Sequence, residues 1–259
     1  MIMVKPKKRL GQHFLTDSSI AERITKLLQN ESETTVVEVG PGKGILTDFL
    51  IKKAGNNLHL VEIDQEAVDF LRIKYPEMNE NLIEGDFLKQ DLRQLDGSIS
   101  VIGNFPYNIS SQIFFKILEN KDIVDEVVCM IQKEVAQRIV SAPGNKQYGI
   151  LSVLLQTWYD IKLEFNVKPG SFFPAPSVIS SVIRLKRNNR EKISCDENFY
   201  RGTIKMSFNQ RRKVISNSLK SILVNLNPDI EDFGLRRRPE ELSVEDFIEL
   251  CTKLEKIKK

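Results

Sequence analysis

The chain has 259 residues, of which 41% are hydrophobic, so it can bury one large core or a large core and a smaller one. No apolar run reaches the roughly 18 residues of a membrane span, and the basic N-terminus lacks the apolar segment of a secretory signal. We therefore expect a cytoplasmic protein without a membrane partner. Three cysteines without CxxC spacing and two histidines predict neither a disulfide framework nor a zinc site, so catalysis is expected to proceed without a metal.

The formal net charge of +3 is unevenly distributed. Residues 1–185 carry 21 basic against 23 acidic residues, whereas residues 186–259 carry 17 against 12, a net charge of +5. Cations near both ends of the chain predict contact with a polyanion, although each cluster can also be read as a solvated surface. The clusters are Lys5, Lys7, Lys8 and Arg9; Arg211, Arg212 and Lys213; and Arg236, Arg237 and Arg238.

In the first part of the chain, short runs rich in Val and Ile alternate with segments of helical period. Strands are predicted at 34–40, 57–63, 81–85, 99–104 and 125–132. Amphipathic helices are predicted between them, for example at 47–54 and 65–75. This alternation is typical of βαβ units and predicts an α/β, doubly wound, Rossmann-like domain with a mostly parallel sheet.

The pattern changes after about residue 158. Two strands are predicted at 159–167 and 177–186, and helices follow at 199–208, 211–223 and 243–258. The polar, charged segment 186–192 is the best linker candidate. We therefore predict a large N-terminal domain over 1–187 and a small helical domain over 188–259.

Three glycines follow the first strand of the α/β domain. Gly40, Gly42 and Gly44 stand between a predicted strand and a predicted helix, where they let the backbone approach a ligand closely. Their GxGxG spacing differs from the GxGxxG of dinucleotide sites, which weakens the case for a bound pyrophosphate.

The next two strands end in acids. Glu62 lies about 20 residues past the glycines, where a carboxylate usually accepts from ribose hydroxyls. Asp86 can accept from an exocyclic amine, and Phe87 can cover a purine face. Each acid alone could be a solvated strand end, but the ordered set predicts S-adenosylmethionine, since no basic residue follows to bind phosphates.

The strand after that runs into Asn104, Phe105, Pro106 and Tyr107 before a predicted helix. A loop that only turns can do so with Gly, Asn or Asp. Two aromatics beside an amide therefore predict a surface for a flat ligand, the alternative being an ordinary turn with Tyr107 in the core.

The segment "GNFPYNIS" looks like the N-[LI]-P-Y form of the [ND]-P-P-[YF] motif of methyltransferases that modify an amino group on a planar system. Seven further segments along nearly the whole chain belong to the same pattern: "KKRLGQHFL", "VEVGPGKGILT", "EGDFL", "MIQKEVAQRI", "YGILSVL", "FFPAPSVISSVIRL" and "RRPEELSVEDFIEL". Together they resemble the bacterial KsgA/RsmA family of ribosomal RNA small-subunit adenine N6-dimethyltransferases.

The resemblance implies a Rossmann-like S-adenosylmethionine domain over 1–187 and an RNA-binding helical domain over 188–259. It implies an enzyme that dimethylates N6 of two adjacent adenosines in the 3'-terminal stem-loop of 16S rRNA during ribosome biogenesis, acting as a monomer on the small subunit. By position, the family's cofactor contacts fall on His13, Leu15, Gly40, Glu62, Asp86 and Asn104.

The chemistry of an adenine amine explains the motif. Its nitrogen is a poor nucleophile because the lone pair is delocalised, and acceptors aimed at its N–H groups favour a localised lone pair. Asn104 can offer its side-chain oxygen and Phe105 its main-chain carbonyl, which Pro106 helps to orient. Tyr107 can stack on the base; Phe172 is the candidate for the opposite face, with Phe173 as its alternative.

The chain departs from the family pattern at three positions. His13 stands in place of Asn, Phe105 in place of Leu or Ile, and Ala175 in place of a middle Pro. The last two put the fine shape of the base pocket in doubt.

Four other functions are weighed. The "GNFPYNIS" context and the C-terminal "EELSVEDF" argue against a large-subunit rRNA adenine methyltransferase of the resistance type and against an adenine-N6 DNA enzyme. A release-factor glutamine methyltransferase would not call for basic termini. From a different class, the protein could act chiefly as a ribosome-assembly checkpoint that binds immature small subunits.

Overall fold

The computed structural model describes residues 4–29, 34–223 and 234–258. The chain divides into two compact units: Met1–Ala136 with Asp160–Arg187, and Gln137–Tyr159 with Asn188–Lys259. The last crossing between the units coincides with the predicted boundary at 187/188. Residues 137–159, which the sequence grouped with the N-terminal domain, belong instead to the second unit.

The described residues form helices and strands close to the predicted positions. The strands are β1 Phe14–Leu15, β2 Thr35–Val39, β3 Leu58–Glu62, β4 Leu82–Glu84, β5 Ile99–Asn104, β6 Val124–Gln132, β7 Tyr159–Val167, β8 Phe172–Phe173 and β9 Ser180–Arg187. The helices are α1 Ser18–Leu27, α2 Thr47–Ala54, α3 Gln65–Lys74, α4 Ser110–Glu119, α5 Lys133–Val140, α6 Ile150–Trp158, α7 Glu197–Asn209, α8 Ile215–Ser218, α9 Lys220–Leu223 and α10 Val244–Lys258. None of these helices is long and apolar enough to span a bilayer.

The large sheet confirms the predicted Rossmann-like α/β class. Its strand order, over the described part of the chain, is β4-β3-β2-β5-β6-β9-β7. The strands from β4 to β6 pair in parallel, and β9 pairs antiparallel to β6. A separate two-stranded ladder joins β1 to β8.

The strand order reverses between β2 and β5. From β2 the chain proceeds outward to β3 and β4, and it then returns to place β5 on the other side of β2. Connections that leave two neighbouring strands in opposite directions open a crevice at their carboxyl ends. The glycine loop follows β2 and the Asn104 segment ends β5, so both lie at this crevice.

The core of the first unit lies on both faces of the sheet. All five residues of β2 are buried, as expected of a central parallel strand covered by helices. Ile24, Leu50 and Leu71 contribute the buried faces of α1, α2 and α3 to the same cluster. This packing fixes the strand ends from which the crevice is built.

The second unit packs α6 against α7 and α10. The α6 segment is apolar almost all round and therefore needs partners on several sides, which explains why it leaves the first unit. The Thr157 hydroxyl on α6 hydrogen-bonds the Tyr200 hydroxyl on α7 at 2.9 Å. Cys195 and Cys251, distant in sequence, are also in hydrogen-bond contact, which raises the pKa of Cys251.

The helix predicted over 211–223 was wrong in length. Only the single turns α8 and α9 form in this segment. The amides of Ile215 and Ser216 donate to the carbonyls of Arg237 and Leu235, both at 2.9 Å. Because these carbonyls already accept from the amides of Ile215 and Ser216, a helix can begin at Ile215, and extending it toward the N-terminus would add no hydrogen bond to these amides.

We expect Arg184→Met to lower the free energy of unfolding by about 3 kcal/mol, because it leaves a buried carboxylate unpaired. Arg184 Nε donates to Glu126 Oε1 at 2.6 Å across the β6–β9 ladder, and both side chains are mostly buried. Urea denaturation measures the loss. The double variant Arg184→Met with Glu126→Gln should recover part of it, and equal stability of both variants would contradict the explanation.

Candidate functional site

A cavity of about 250 Å³ opens at the carboxyl ends of β2, β3, β4 and β5. Residues from four strand ends therefore meet at one edge of the sheet. The predicted site residues on its wall are His13, Gly40, Gly42, Glu62, Asp86, Phe87, Asn104, Phe105, Pro106 and Tyr107.

Glu62 holds the glycine loop. Its Oε2 accepts from the Gly42 amide at 3.0 Å and its Oε1 accepts from the Asp64 amide at 2.9 Å. Burial raises the pKa of Glu62, while these bonds lower it. The sequence predicted a ribose acceptor here but did not predict that Glu62 also holds the loop. Each carboxylate oxygen keeps a second lone pair that can accept from a ribose hydroxyl.

Two glycines of the loop make room at the cavity. Gly42 has φ 58°, and a Cβ there would lie 2.8 Å from the Phe14 ring. Gly40 has φ 67°, and a Cβ there would meet no atom within 4 Å. The backbone at Gly40 therefore faces open space, which suits a ligand lying directly against it.

The other end of the cavity offers apolar surface and one carboxylate. Asp86 Oδ1 accepts from the Leu88 amide at 3.0 Å, and Phe87 is buried beside it. Ile63, which sequence reasoning missed, lines the cavity although 53% of it is exposed. An apolar residue directly after a strand-end acid was the available signal. Together with Glu62, these groups fit the adenosine part of S-adenosylmethionine.

The Asn104 amide has a fixed orientation. Its Nδ2 donates to the His13 carbonyl oxygen at 2.8 Å. Because a carbonyl can only accept, the amide nitrogen must face His13 and the oxygen must face away from it. Asn104 Oδ1 is buried and finds no hydrogen-bond partner within the described residues. Such an orphaned acceptor marks a place where a ligand donor belongs.

The backbone and the side chain of Phe105 make different contacts. The Phe105 amide donates to the Met130 carbonyl at 3.0 Å, and the ring packs edge-on against Phe114 with centroids 5.9 Å apart. Its carbonyl accepts no hydrogen bond from the described part of the chain. Because 1% of the residue is exposed, the unusual side chain is explained by core packing.

Tyr107 is half-buried, not lost in the core. Its hydroxyl hydrogen-bonds the Ser180 hydroxyl, and its ring stacks on the His13 ring with centroids 5.4 Å apart and planes at 26°. Burial raises the pKa of Tyr107, so the phenol stays protonated. Contacts at the hydroxyl and at one face hold the ring at the cavity wall.

The structure distinguishes the two candidates for the second stacking ring. Phe172 on β8 pairs with Leu15 on β1, and both side chains belong to the core cluster. Phe173 points the other way, is 60% exposed, and lies opposite Phe14, which lines the cavity. Directly opposed residues of a ladder share a face, so Phe173 lies on the same face as Phe14, although it is not itself among the residues that line the cavity. Which of the two rings stacks on the base stays a prediction.

Leu15 is likewise absent from the wall of the cavity. Its side chain is buried, and it lines a smaller neighbouring pocket together with Gly40 and Asn104. A contact of Leu15 with a cofactor stays a prediction.

Some of the basic residues are already paired within each unit. Lys7 forms ion pairs with Asp64 and Glu66, and the hydrogen bond to Asp64 raises the pKa of Lys7. Gln12, on the cavity wall and missed in the sequence, donates to the same Asp64 at 2.9 Å. The exposed cations of the predicted clusters, whether or not they have a partner, are Lys5, Lys8, Arg9, Arg212, Lys213, Arg236, Arg237 and Arg238.

Glu38 is a buried acid beneath the glycine loop. It accepts from the Thr47 hydroxyl at 2.7 Å, which ties β2 to the first residue of α2. Burial, with nearby Glu62 and Asp48, raises the pKa of Glu38 to about 8. Sequence reasoning missed this residue because a strand interior gives no sign of the hydroxyl it meets.

Comparisons with known proteins agree with the geometry. The family model for "Ribosomal RNA adenine dimethylase" matches residues 3–256. The chain is 51% identical, over 98% of its length and 96% of the relative, to "Ribosomal RNA small subunit methyltransferase A" of Bacteroides thetaiotaomicron. It is 47% identical to the protein of that name from Cytophaga hutchinsonii, over 98% and 99% of the two chains.

Solved structures share the fold. A dimethyladenosine transferase from Plasmodium falciparum superposes with a TM-score of 0.80 at 22% identity, covering 95% of this chain and 98% of that one. The 23S rRNA methyltransferase ErmE gives a TM-score of 0.65 at 24% identity, covering 92% and 99%. Among the described residues no group of His, Cys, Asp and Glu is arranged to hold a metal.

We expect Glu38→Gln to stabilise the protein increasingly as pH rises from about 5 to about 8. The folded carboxyl keeps its proton up to about pH 8 whereas the unfolded one loses it near 4.5, so the free energy of unfolding of the wild type falls across this window. Glutamine carries no proton to lose and can still accept from Thr47. Urea denaturation across the window measures the difference, and a constant difference would refute the assignment.

Proposed function

Because the chain belongs to the ribosomal RNA adenine dimethylase family, we infer that it is an S-adenosylmethionine-dependent rRNA adenine dimethyltransferase acting on the small ribosomal subunit. We propose that its target is N6 of two adjacent adenosines in the 3'-terminal stem-loop of 16S rRNA, modified during ribosome biogenesis. We further propose that the protein works as a monomer in the cytoplasm, where ribosomal subunits are assembled.

One observation carries the proposed mechanism: two acceptors at the end of β5 accept no hydrogen bond from the described residues. The bond from Asn104 Nδ2 to the His13 carbonyl prevents the amide from flipping, so Oδ1 keeps one orientation. The Phe105 carbonyl is the next acceptor along the backbone. An adenine amine has two N–H groups to donate. The pair of oxygens therefore matches the donor pattern of the group to be methylated.

These oxygens would act on the electrons of the amine. When bound, S-adenosylmethionine supplies an electrophilic methyl group on a positively charged sulfur. Asn104 and Phe105 would accept from the two N–H groups, favour a pyramidal nitrogen, and stabilise the positive charge that develops there. Pro106 lacks an N–H and has a fixed φ, which helps to keep the Phe105 carbonyl directed outward. No side-chain base is required before attack, because the amine is neutral.

Aromatic rings would hold the flipped base. Tyr107 offers a ring at the cavity wall, and Phe173 offers the exposed ring on β8. Stacking contributes about 1–3 kcal/mol per base, comparable to the few kcal/mol needed to unstack the target.

The cofactor would lie along the strand ends. Glu62 would accept from the ribose, Asp86 from the adenine amine, and the glycine loop would follow the amino-acid end closely. Phe87 and Ile63 would cover the purine.

The exposed basic residues of each unit would contact rRNA phosphates. Binding to the ribosomal substrate should then weaken steeply with salt.

We expect the wild type, given labelled S-adenosylmethionine, to form dimethyladenosine in unmethylated small subunits but not in large subunits or DNA. Asn104→Ala should lower the rate by about 10²-fold or more, because it removes one preorganised acceptor. Nucleoside mass analysis and rate measurements test both. Near-normal turnover by the variant would disprove the acceptor role, and full rescue of subunit assembly by a variant that binds without methylating would favour an assembly checkpoint.

We expect Phe173→Ala to raise the KM for small subunits about 10-fold with little change in stability, because it removes an exposed stacking ring. Phe172→Ala is the matched variant on the next residue, and it should lower the free energy of unfolding by about 3 kcal/mol by opening a cavity in the core. Steady-state kinetics and urea denaturation separate them. If Phe172→Ala raised the KM as much as Phe173→Ala while its free energy of unfolding stayed close to that of the wild type, Phe172 would be the stacking ring.

A further inference from the structure

Asp64 lies two residues beyond Glu62 and contacts two separate parts of the cavity wall. Its backbone amide donates to Glu62 Oε1 at 2.9 Å, and Glu62 in turn accepts from the Gly42 amide at 3.0 Å. Its carboxylate accepts from Gln12 Nε2 at 2.9 Å. Glu62 and Gln12 both line the cavity, whereas Asp64 does not. Asp64 therefore lies behind two lining residues that are distant from each other in the sequence.

The carboxylate of Asp64 is wholly buried and surrounded by donors. Lys7 forms an ion pair with Oδ1, the Glu66 amide donates to Oδ1 at 3.1 Å, and Gln12 donates to Oδ2. Burial by itself would raise the pKa of Asp64, but the hydrogen bonds from Lys7 and Gln12 outweigh it, so the pKa lies below its usual value. The group is therefore ionised at neutral pH, and its hydrogen bonds are of the strong, charge-assisted kind.

Gln12 belongs to a segment that runs along the cavity wall. The other residues of this segment, 10–13, also line the cavity. Gln12 Oε1 accepts from the Lys7 amide at 2.8 Å. Because an amide N–H can only donate, the oxygen of Gln12 must face Lys7, and its Nε2 must face Asp64. The Asp64 carboxylate thus determines where the segment lies on the wall.

We propose that Asp64 is a positioning residue for S-adenosylmethionine: its carboxylate sets the segment 10–13, and its backbone amide sets Glu62. The two parts of the wall then keep a fixed spacing before the cofactor binds, which lowers the cost of ordering them. The proposal rests on the proposed function, in which Glu62 accepts from the ribose. Asp64 is also the N-cap of α3, so a test must separate cofactor binding from the stability of this helix.

An exchange of donor and acceptor between two side chains makes this separation. Asp64→Asn presents an NH2 group to a donor in either orientation of the new amide, whereas asparagine remains a good N-cap for α3. Gln12→Glu places a second carboxylate against Asp64, so two acceptors face each other. The double variant Asp64→Asn with Gln12→Glu again pairs one donor with one acceptor, and the introduced carboxylate can still accept from the Lys7 amide.

We expect Asp64→Asn and Gln12→Glu each to raise the Kd of S-adenosylmethionine, measured by calorimetry, about 10-fold. The double variant should return the Kd to within about 3-fold of the wild type, because the two side chains act through one shared bond.

The matched control is Asp196→Ala in the second unit. Asp196 is the N-cap of α7, and its carboxylate accepts from the Phe199 amide at 2.8 Å. Its removal should lower the free energy of unfolding in urea and leave the Kd of S-adenosylmethionine unchanged.

A double variant that binds S-adenosylmethionine no better than the two single variants would overturn the proposal. So would a wild-type Kd in Gln12→Glu, which decides the question even if Asp64→Asn does not fold. An equal rise of the Kd in Asp196→Ala would also overturn it, because the loss of any helix cap would then suffice. A wild type that binds S-adenosylmethionine but methylates no small subunits would overturn the proposed function instead, and the Kd values would still decide the role of Asp64.

Discussion

The strand order of the large sheet is the constraint on which the site depends. Because β3 and β5 lie on opposite sides of β2, the loops that leave β2 and β5 must diverge, and the crevice between them cannot be filled by either. The strand-end residues Gly40, Glu62, Asp86 and Asn104 all line that crevice. The glycine loop can pack closely against Phe14 at this crevice, since a Cβ at Gly42 would collide with the Phe14 ring.

Polar groups in the crevice hold one another in place before any ligand arrives. Glu62 accepts from the Gly42 amide, and the His13 carbonyl fixes the Asn104 amide. Groups held in this way need little reorganisation when charge develops on the substrate, which is what makes preorganised acceptors effective. Asn104 Oδ1 accepts no hydrogen bond from any described residue, and a buried acceptor without a donor destabilises the free protein.

The two-residue ladder of β1 and β8 borders the cavity through Phe14. Leu15 and Phe172 anchor it in the core, and Phe14 and Phe173 take the opposite face. Two hydrogen bonds extend the link, one from His13 to Pro174 and one from Thr16 to Ser171. These contacts hold the exposed ring of Phe173 in a defined place although the ladder is only two residues long.

The α/β class, the strand ends and the residues of the glycine loop could be predicted from the sequence, because apolar periodicity and glycine positions reflect local backbone requirements. Features that depend on pairing between distant segments could be read only from the folded chain. Phe172 and Phe173 are equivalent in sequence, and only the register with β1 buries one and exposes the other. The Asn104 amide acquires its orientation from His13, 91 residues away, and α6 joins the second unit because its all-round apolar surface finds partners in α7 and α10. No local pattern encodes such contacts, since each arises only when two separate parts of the chain are brought together.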